Sequence, residues 1–241
     1  MRAQLRDPFL DLQIQNRDMM PRVATSRSKT GGSAAPHNLT RKGAQTRERI
    51  VTAAAELMFE DGVSGTTLEQ VREAAAVSSS QIYHYFANKD ALIRAVIAYQ
   101  SDRVVGGQEP LFAKLDTIDG FRAWRDFLVA HQRRLGCRGG CPIGSLGSEL
   151  GETNPVARVD VAAALLRWES GIRFGLHAMA GSGRLRDGAD PNKLATTTLA
   201  ALQGALLLTQ MQRDTAPLEV ALDTVIEHIA SLTTGYVSDP D

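Results

Sequence analysis

Apolar residues recur at three- and four-residue intervals along most of this chain, and this spacing restricts its fold more than any other feature. Ile50, Ala53, Ala54, Leu57 and Met58 set the pattern, which is that of a helix with one buried face. Similar spacing predicts further helices near residues 117–135, after Pro155, over 192–213 and after Pro217. We find no convincing strand pattern, so the sequence predicts an all-α protein.

Two short helices are predicted between the first long helix and the next. The first would begin at Thr66, which with Glu69 fits a T-x-x-E capping box. The second would begin at Ser78, ahead of SSQIYHYF, and Asn88 would cap the helix that follows. Two short helices joined by a tight turn make a helix-turn-helix, whose second helix enters the major groove of DNA.

The charge distribution agrees with a local contact to DNA. Lys and Arg number 27, and so do Asp and Glu, which excludes a chain that is basic throughout. Residues 1–50 nevertheless hold ten basic and four acidic side chains, whereas residues 201–241 hold one and six. We interpret the basic front end as a contact to a polyanion, with a merely solvated tail as the alternative.

The first 40 residues are predicted to be a tail. Asp7, Asp11 and Asn16 interrupt the apolar residues that a secretory signal would need, and translation could begin at Met20. Thr25–Thr40 is rich in Ser, Thr, Gly and Pro and has no apolar period, which is typical of disorder. No apolar run reaches the roughly 18 residues of a membrane span, so we expect no membrane association.

Residues Thr46–Leu92 resemble the DNA-binding domain of the TetR family of bacterial repressors. The match comprises the R-x-x-I-x-x-A-A-x-x-L-x-x-x-x-G helix, the paired threonines, V-S before the second short helix, and the I-Y-H-Y-F and N-K-D-A-L segments. Ala76 departs from the Gly that family members commonly carry, and alanine strains the turn if this position needs a positive φ. The segment GCPIGSLGSEL (140–150) resembles the effector domain of the LmrA/YxaF-like branch.

The resemblance implies an N-terminal three-helix helix-turn-helix domain joined to a larger helical domain for effector binding and dimerisation. We therefore divide the chain into a disordered basic tail (1–40), a DNA-binding domain (41–92) and the larger domain (93–236). The implied protein is a homodimeric repressor in the bacterial cytoplasm, associated with the nucleoid when bound. A small hydrophobic or aromatic effector would release it from a palindromic double-stranded operator, without a cofactor.

DNA contacts are expected at the start of the second short helix and in the basic segment before it. Helix position favours Gln81 as a base reader, since its amide matches adenine. Residues 66–90 hold two basic and three acidic side chains, so the basic segment, including Arg49, must supply much of the electrostatic attraction. Tyr83 as a cover of the core and His84 as an uninvolved surface residue stay open as alternatives. The expected DNA contacts are Arg41, Lys42, Arg47, Thr67, Ser78, Ser79, Ser80, Gln81, Tyr83, His84 and Lys89.

Two sets of residues are assigned to the larger domain. Aromatic and polar residues on two of its helices could line an effector pocket, with plain core packing as the alternative. Apolar seams on the last two helices, which form a four-helix dimer bundle in similar repressors, could instead pack within one subunit. The pocket set is Trp124, Phe127, His131, Trp168, Ile172 and His177. The dimerisation set is Leu202, Leu206, Leu218, Leu222, Val225 and Ile229.

Cys137 and Cys141 leave other hypotheses about the function open. They could make a thiol-based redox-sensing repressor or, in another class, a thiol-dependent oxidoreductase. They could also be ordinary thiols in a Gly-rich interruption spanning Gly136–Gly147. The sequence contains no G-x-S-x-G, P-loop or H-E-x-x-H motif, and a zinc site lacks ligands because His131 is the only nearby histidine. We expect neither an enzyme nor a metal site.

Overall fold

The computed structural model describes residues 39–235, and helices dominate this part of the chain. Within it, the β structure consists of one isolated bridge between Leu185 and Thr233, which confirms the all-α prediction. The predicted tail lies, but for Leu39 and Thr40, outside the described residues. The helices are α1 (Arg41–Gly65), α2 (Leu68–Ala74), α3 (Ser79–Tyr85), α4 (Lys89–Val104), α5 (Glu109–Phe112), α6 (Ile118–Arg134), α7 (Pro142–Leu150), α8 (Pro155–Gly181), α9 (Pro191–Gln212) and α10 (Ala216–Ser231).

Polar caps fix where the first helices begin, with one correction to the sequence analysis. Ser78 caps α3 and Asn88 caps α4, as predicted. The cap of α2 is Thr67 rather than Thr66, and its capping-box partner is Gln70 rather than Glu69. The reason is that Thr66 is buried and its hydroxyl donates to the Gly62 carbonyl at 2.8 Å.

The Gly-rich interruption is shorter than predicted. It ends at Cys141, because Pro142 occupies the first turn of α7 and the Cys141 Sγ accepts from the Gly144 N–H at 3.3 Å. Gly139 has a φ of 80°, and a Cβ at this position would overlap the Phe59 ring of α1. Glycine therefore allows this loop to lie directly against the first helix.

Helix α4 connects the front of the molecule to the rest. It packs against α1 and against α8, and its buried residues include Leu92, Val96 and Ile97. It runs without a break across residue 92, where we divide the chain into domains. Helix α4 is therefore continuous across the predicted domain boundary.

Helices α8, α9 and α10 form the back of the molecule. The middle helix, α9, packs against both neighbours, and α6 packs against α10. Arg125 of α6 donates to Asp223 of α10 at 2.7 Å. Among the described helices, α9 alone is long and apolar enough to cross a membrane by length and composition. That is weak support for a membrane span, since a core helix passes the same test and nearly half of the relevant window is buried.

Candidate DNA interface and regulatory half

The turn between α2 and α3 has the geometry of a helix-turn-helix. Ala76 takes a left-handed conformation with φ of 50°, which confirms that this position needs a positive φ. The Val77 N–H donates to the Arg72 carbonyl at 3.2 Å and closes the turn. Val77 in the turn and Ile82 of α3 are buried, so packing fixes the angle between the two helices.

The expected recognition helix exposes one face to solvent. Ile82 and the following Phe86 are buried against the core, as the sequence predicts. Tyr83 is 62% exposed, which excludes the alternative that it covers the core, and the adjacent His84 is also exposed. The exposed residues at the start of this face are Ser78, Ser79, Ser80 and Gln81.

Two expected contact residues already have partners within the protein. The Gln81 Oε1 accepts from the Ser78 N–H at 2.8 Å, which completes a capping box. The Lys89 Nζ donates to the Val63 carbonyl at 2.6 Å. Gln81 keeps its amide donors and Lys89 keeps two of its three N–H groups. Gln81 must rotate out of the capping box before it can present both amide atoms to an adenine.

The basic segment lies at the start of α1, where Thr40 caps the helix. Arg41 and Lys42 are exposed in its first turn. The Arg47 guanidinium lies over the Phe86 ring, 5.2 Å from its centroid, and so sits just beyond the end of α3. Thr67 is exposed as the cap of α2. The structure thus places Arg47 beside the recognition helix.

A carboxylate of the larger domain holds the end of α1. Glu149 of α7 accepts from the backbone N–H groups of Val63 at 2.7 Å and Ser64 at 2.6 Å, just after Gly62 breaks the helix with a φ of 77°. Partial burial acts to raise the pKa of Glu149, but these two hydrogen bonds and the charge of Lys89 outweigh it, so the pKa lies below its ordinary value. Sequence reasoning missed this contact, since the partners lie 86 and 85 positions apart.

The residues assigned to an effector pocket are divided between the core and the surface of the described chain. Trp124, Trp168 and Ile172 are buried in the core, and the Trp124 Nε1 donates to Gln108 at 2.7 Å. The His177 side chain is exposed and lies 3.3 Å from Asn192. The structure thus places His177 at the surface beside α9, and its part in an effector pocket stays a prediction.

The remaining two members of the pocket set are neighbours on α6. The Phe127 and His131 rings are stacked, with centroids 6.4 Å apart. Cavities occur elsewhere: about 710 Å³ along α1 and α2, about 340 Å³ between α4 and α8, and about 100 Å³ where α1, α4 and α7 meet.

Two family models match the sequence over most of the described chain. Bacterial regulatory proteins of the tetR family match residues 50–96, and the tetracyclin repressor-like C-terminal domain matches residues 118–225. The chain belongs to the TetR family. Membership makes it a non-enzymatic DNA-binding transcriptional regulator, which rules out the thiol-dependent oxidoreductase. The resemblance to the LmrA/YxaF-like branch is not confirmed.

Similar proteins extend over most of this TetR-family chain. It is 26% identical to the transcriptional regulator AcuR of Cereibacter sphaeroides over 77% of this chain and 86% of AcuR. It is 25% identical to the transcriptional repressor DhaR of a Mycobacterium species over 78% of this chain and 93% of DhaR. A crystal structure of a TetR transcriptional regulator from Chloroflexus aurantiacus superposes with a TM-score of 0.69 at 29% identity, covering 80% of this chain and 98% of that one.

The residues assigned to dimerisation are buried within the subunit of this TetR-family protein. Packing among α6, α8, α9 and α10 accounts for their spacing within one subunit, which is the alternative given in the sequence analysis, and the assignment to an intersubunit seam stays a prediction. Leu222 and Ile229 are wholly inaccessible, and none of the six is more than 9% exposed. The six are Leu202, Leu206, Leu218, Leu222, Val225 and Ile229.

The opposite face of α9 is apolar and exposed. Leu207, Leu208 and Met211 are 57%, 50% and 63% exposed, and Val220 of α10 is 65% exposed. Residues 194–212 contain no charged side chain, so the exposed face is uncharged over almost the whole helix. Apolar patches of this kind mark interaction sites.

The two cysteines are free and buried. Burial raises the pKa of the Cys141 thiol, although hydrogen bonds from Gly144 and Gln203 act in the opposite direction. A protonated, buried thiol is a poor nucleophile. Neither this environment nor the similarity to TetR-family regulators supports the redox-sensing alternative. Within residues 39–235, no three His, Cys, Asp or Glu side chains are grouped as a metal site would require.

Proposed function

We propose that this protein is a homodimeric repressor that binds a palindromic operator through α3 of each subunit and leaves it when a small molecule binds the larger domain. The observation that carries the proposal is the exposed face of α3. This face presents hydroxyl, amide, phenol and imidazole groups, while Ile82 and Phe86 anchor the opposite side in the core. Hydrogen-bonding side chains on a rigid helix are what base reading in the major groove requires.

Sequence-independent attraction would come from the start of α1. The face of α3 itself carries no Lys or Arg between Ser78 and Tyr85. Arg41 and Lys42 are exposed and have no ion-pair partner among the described side chains, and Arg47 is held beside α3 by Phe86. Contacts from these residues to phosphates would orient the protein without reading sequence.

We propose the uncharged face of α9 as the centre of the dimer interface. A second copy related by twofold symmetry would place the same face against itself, burying Leu207, Leu208 and Met211. Gly204 supports this assignment. Glycine within a helix costs about 1 kcal/mol relative to alanine, and a Cβ at Gly204 would meet nothing in its own subunit. Close approach of a partner helix would account for it.

Repression, rather than activation, is supported by DhaR, which is named a repressor and which this chain matches over 93% of its length. Release by a ligand requires two conformations of the dimer that differ in the spacing of the two α3 helices. The effector must bind the conformation whose spacing does not fit the operator more tightly than it binds the DNA-bound conformation. A cytoplasmic location follows from the proposed function.

Selection of bound duplexes from a randomised pool tests the proposal. The full chain should enrich an inverted repeat, with one dimer per site by stoichiometric titration. Ser80→Ala combined with His84→Ala should weaken binding to that site at least tenfold. Ser148→Ala, at an exposed position on α7, is the matched control and should leave binding unchanged. Failure to enrich any sequence would refute the proposal.

A further inference from the structure

The short helix α7 lies against the helix proposed for dimerisation. Just before its start, a Cβ at Gly140 would come within 2.5 Å of the Gln210 Oε1. In its first turn, a Cβ at Gly144 would come within 3.0 Å of the Gln203 Oε1. Both glutamines belong to α9. Glycine at these two positions therefore allows the start of α7 to approach α9 closely.

The other end of α7 holds the first helix of the DNA-binding domain. The Glu149 carboxylate accepts from the backbone N–H groups of Val63 and Ser64. A Cβ at Gly62 would lie 3.2 Å from the same carboxylate, so Glu149 fits closely against the backbone of α1. The Lys89 Nζ donates to the Val63 carbonyl at 2.6 Å. Helices α7 and α4 therefore hold the same residue of α1 from its two backbone polar groups.

Helix α7 is short and is packed along one face. Its nine residues span about 13 Å at 1.5 Å each. Ile143, Leu146 and Leu150 are buried, and the helix packs against α8 as well as α1. A short, packed helix moves as one body, so a displacement at its α9 end would be carried to Glu149.

We propose that Glu149 is a positioning residue for operator recognition, which fixes α1, and with it α3, relative to α9. The recognition helix follows α1 because Phe86 is buried and its ring lies under the Arg47 guanidinium of α1. With α9 at the centre of the dimer, the two Glu149 contacts set the separation of the two α3 helices. The operator and the dimer rest on the proposed function, whereas the positioning of α1 within one subunit does not.

Operators with altered half-site spacing test the consequence for DNA binding. One base pair added between the half-sites moves them apart by about 3.4 Å, and the native chain should lose at least tenfold in affinity. Glu149→Gln should lose threefold or less, because the separation of its α3 helices is less sharply defined. Binding to unrelated DNA should be unchanged, since phosphate contacts carry no sequence information. Fluorescence anisotropy on the full chain measures these affinities, and a native spacing penalty in Glu149→Gln would overturn the proposal.

Two matched variants separate positioning from a loss of stability. Glu152→Gln makes the same chemical change at an exposed residue just beyond α7. Asp116→Asn weakens an ion pair with Arg184, 3.0 Å long, within the regulatory half. Both variants should keep the spacing penalty of the native chain. An equal loss of discrimination in Asp116→Asn and Glu149→Gln would indicate a merely structural effect and overturn the proposal.

A distance measurement tests the positioning of α1 without DNA. Azide-bearing residues are introduced at positions 73 of α2 and 123 of α6, which are both exposed, and are then spin-labelled. Electron spin resonance on labelled chains diluted with unlabelled chains gives the distance within one subunit. Glu149→Gln should shift or broaden the distribution of distances, and Glu152→Gln should not.

The outcomes separate this inference from the proposed function. An unchanged distance distribution in Glu149→Gln would overturn the positioning role, even if operator binding is normal. A shifted or broadened distribution in a protein that enriches no duplex would uphold the positioning of α1 and overturn the repressor.

Discussion

The Glu149 carboxylate accepts the Val63 backbone N–H at 2.7 Å, across 86 positions of sequence. It joins α7 of the regulatory half to the end of the first helix of the DNA-binding half. Because the neighbouring Ser64 N–H donates to the other carboxylate oxygen, the contact fixes the orientation of that end as well as its distance. A movement of α7 would therefore displace the end of α1 directly.

Glu149→Gln should weaken this contact and lower the free energy of unfolding by about 1–2 kcal/mol at pH 7, since the glutamine amide offers one neutral acceptor oxygen in place of two charged ones. The pKa of Glu149 is lowered from 4.5 in the folded protein, so its contribution is complete above that pH and fades as the pH falls below it. Urea unfolding at pH 7 and at pH 4 measures the effect.

The native chain and Glu149→Gln should become more similar in stability at the lower pH. Glu152→Gln, at an exposed residue just beyond α7, is the control and should change stability by less than about 0.5 kcal/mol. A difference between native and Glu149→Gln proteins that stays constant with pH would contradict the role of the ionised carboxylate.

Ala76→Gly should stabilise the protein by about 1 kcal/mol. Alanine at a φ of 50° is strained, and glycine adopts this conformation without a Cβ clash. Ala74→Gly is the matched control, since Ala74 is an exposed residue of α2 without a positive φ, and it should destabilise by up to about 1 kcal/mol. Thermal unfolding measures both variants. The strain argument would be contradicted if Ala76→Gly failed to stabilise the protein, or if Ala74→Gly stabilised it as well.

Met211→Glu on the exposed face of α9 should give a folded monomer that no longer binds the operator. A charge there would face its own copy in a twofold interface. Ala113→Glu, at an exposed position between α5 and α6, should remain dimeric. Sedimentation equilibrium and circular dichroism distinguish these results. A Met211→Glu variant that stays dimeric would move the interface away from α9.

The same change at Leu222 should have a different effect. Leu222 is inaccessible within the subunit, so glutamate there places an unpaired charge in the core and should unfold or severely destabilise the chain. A well-folded Leu222→Glu monomer would instead support the assignment of Leu222 to the dimer interface.

Arg41→Ala combined with Lys42→Ala should reduce the salt dependence of DNA binding. Each phosphate contact contributes about 0.9 to the slope of log K against log salt, and each residue occurs twice in a dimer. The slope should therefore fall by about two for each residue that contacts phosphate, equally on operator and unrelated DNA. Fluorescence anisotropy between low and moderate salt measures it, and an unchanged slope would remove these residues from the interface.

The sequence predicts most of the helices because their signals are local. Ile50 and Met58 repeat at helical spacing, and Ser78, the first hydroxyl after the apolar Val77, caps α3. Thr66 and Thr67 carry the same chemistry, so which of them caps α2 depends on Gly62, whose carbonyl binds the Thr66 hydroxyl. Such choices depend on tertiary structure.

The sites were harder to predict, because a buried stripe does not reveal what covers it. The spacing of Leu222 and Ile229 predicts burial, which is confirmed, but not whether a second subunit provides it. The Glu149–Val63 contact leaves no signal in either local sequence.

Amide hydrogen exchange of the full chain with and without its enriched duplex tests the central claim most directly. The exposed face of α3 is proposed to lie in the major groove, so exchange over residues 78–86 should slow on DNA binding, together with exchange over residues 41–47. Exchange over residues 118–134 should be unaffected. Unchanged exchange over residues 78–86 in a sample shown to be saturated with DNA would contradict the account.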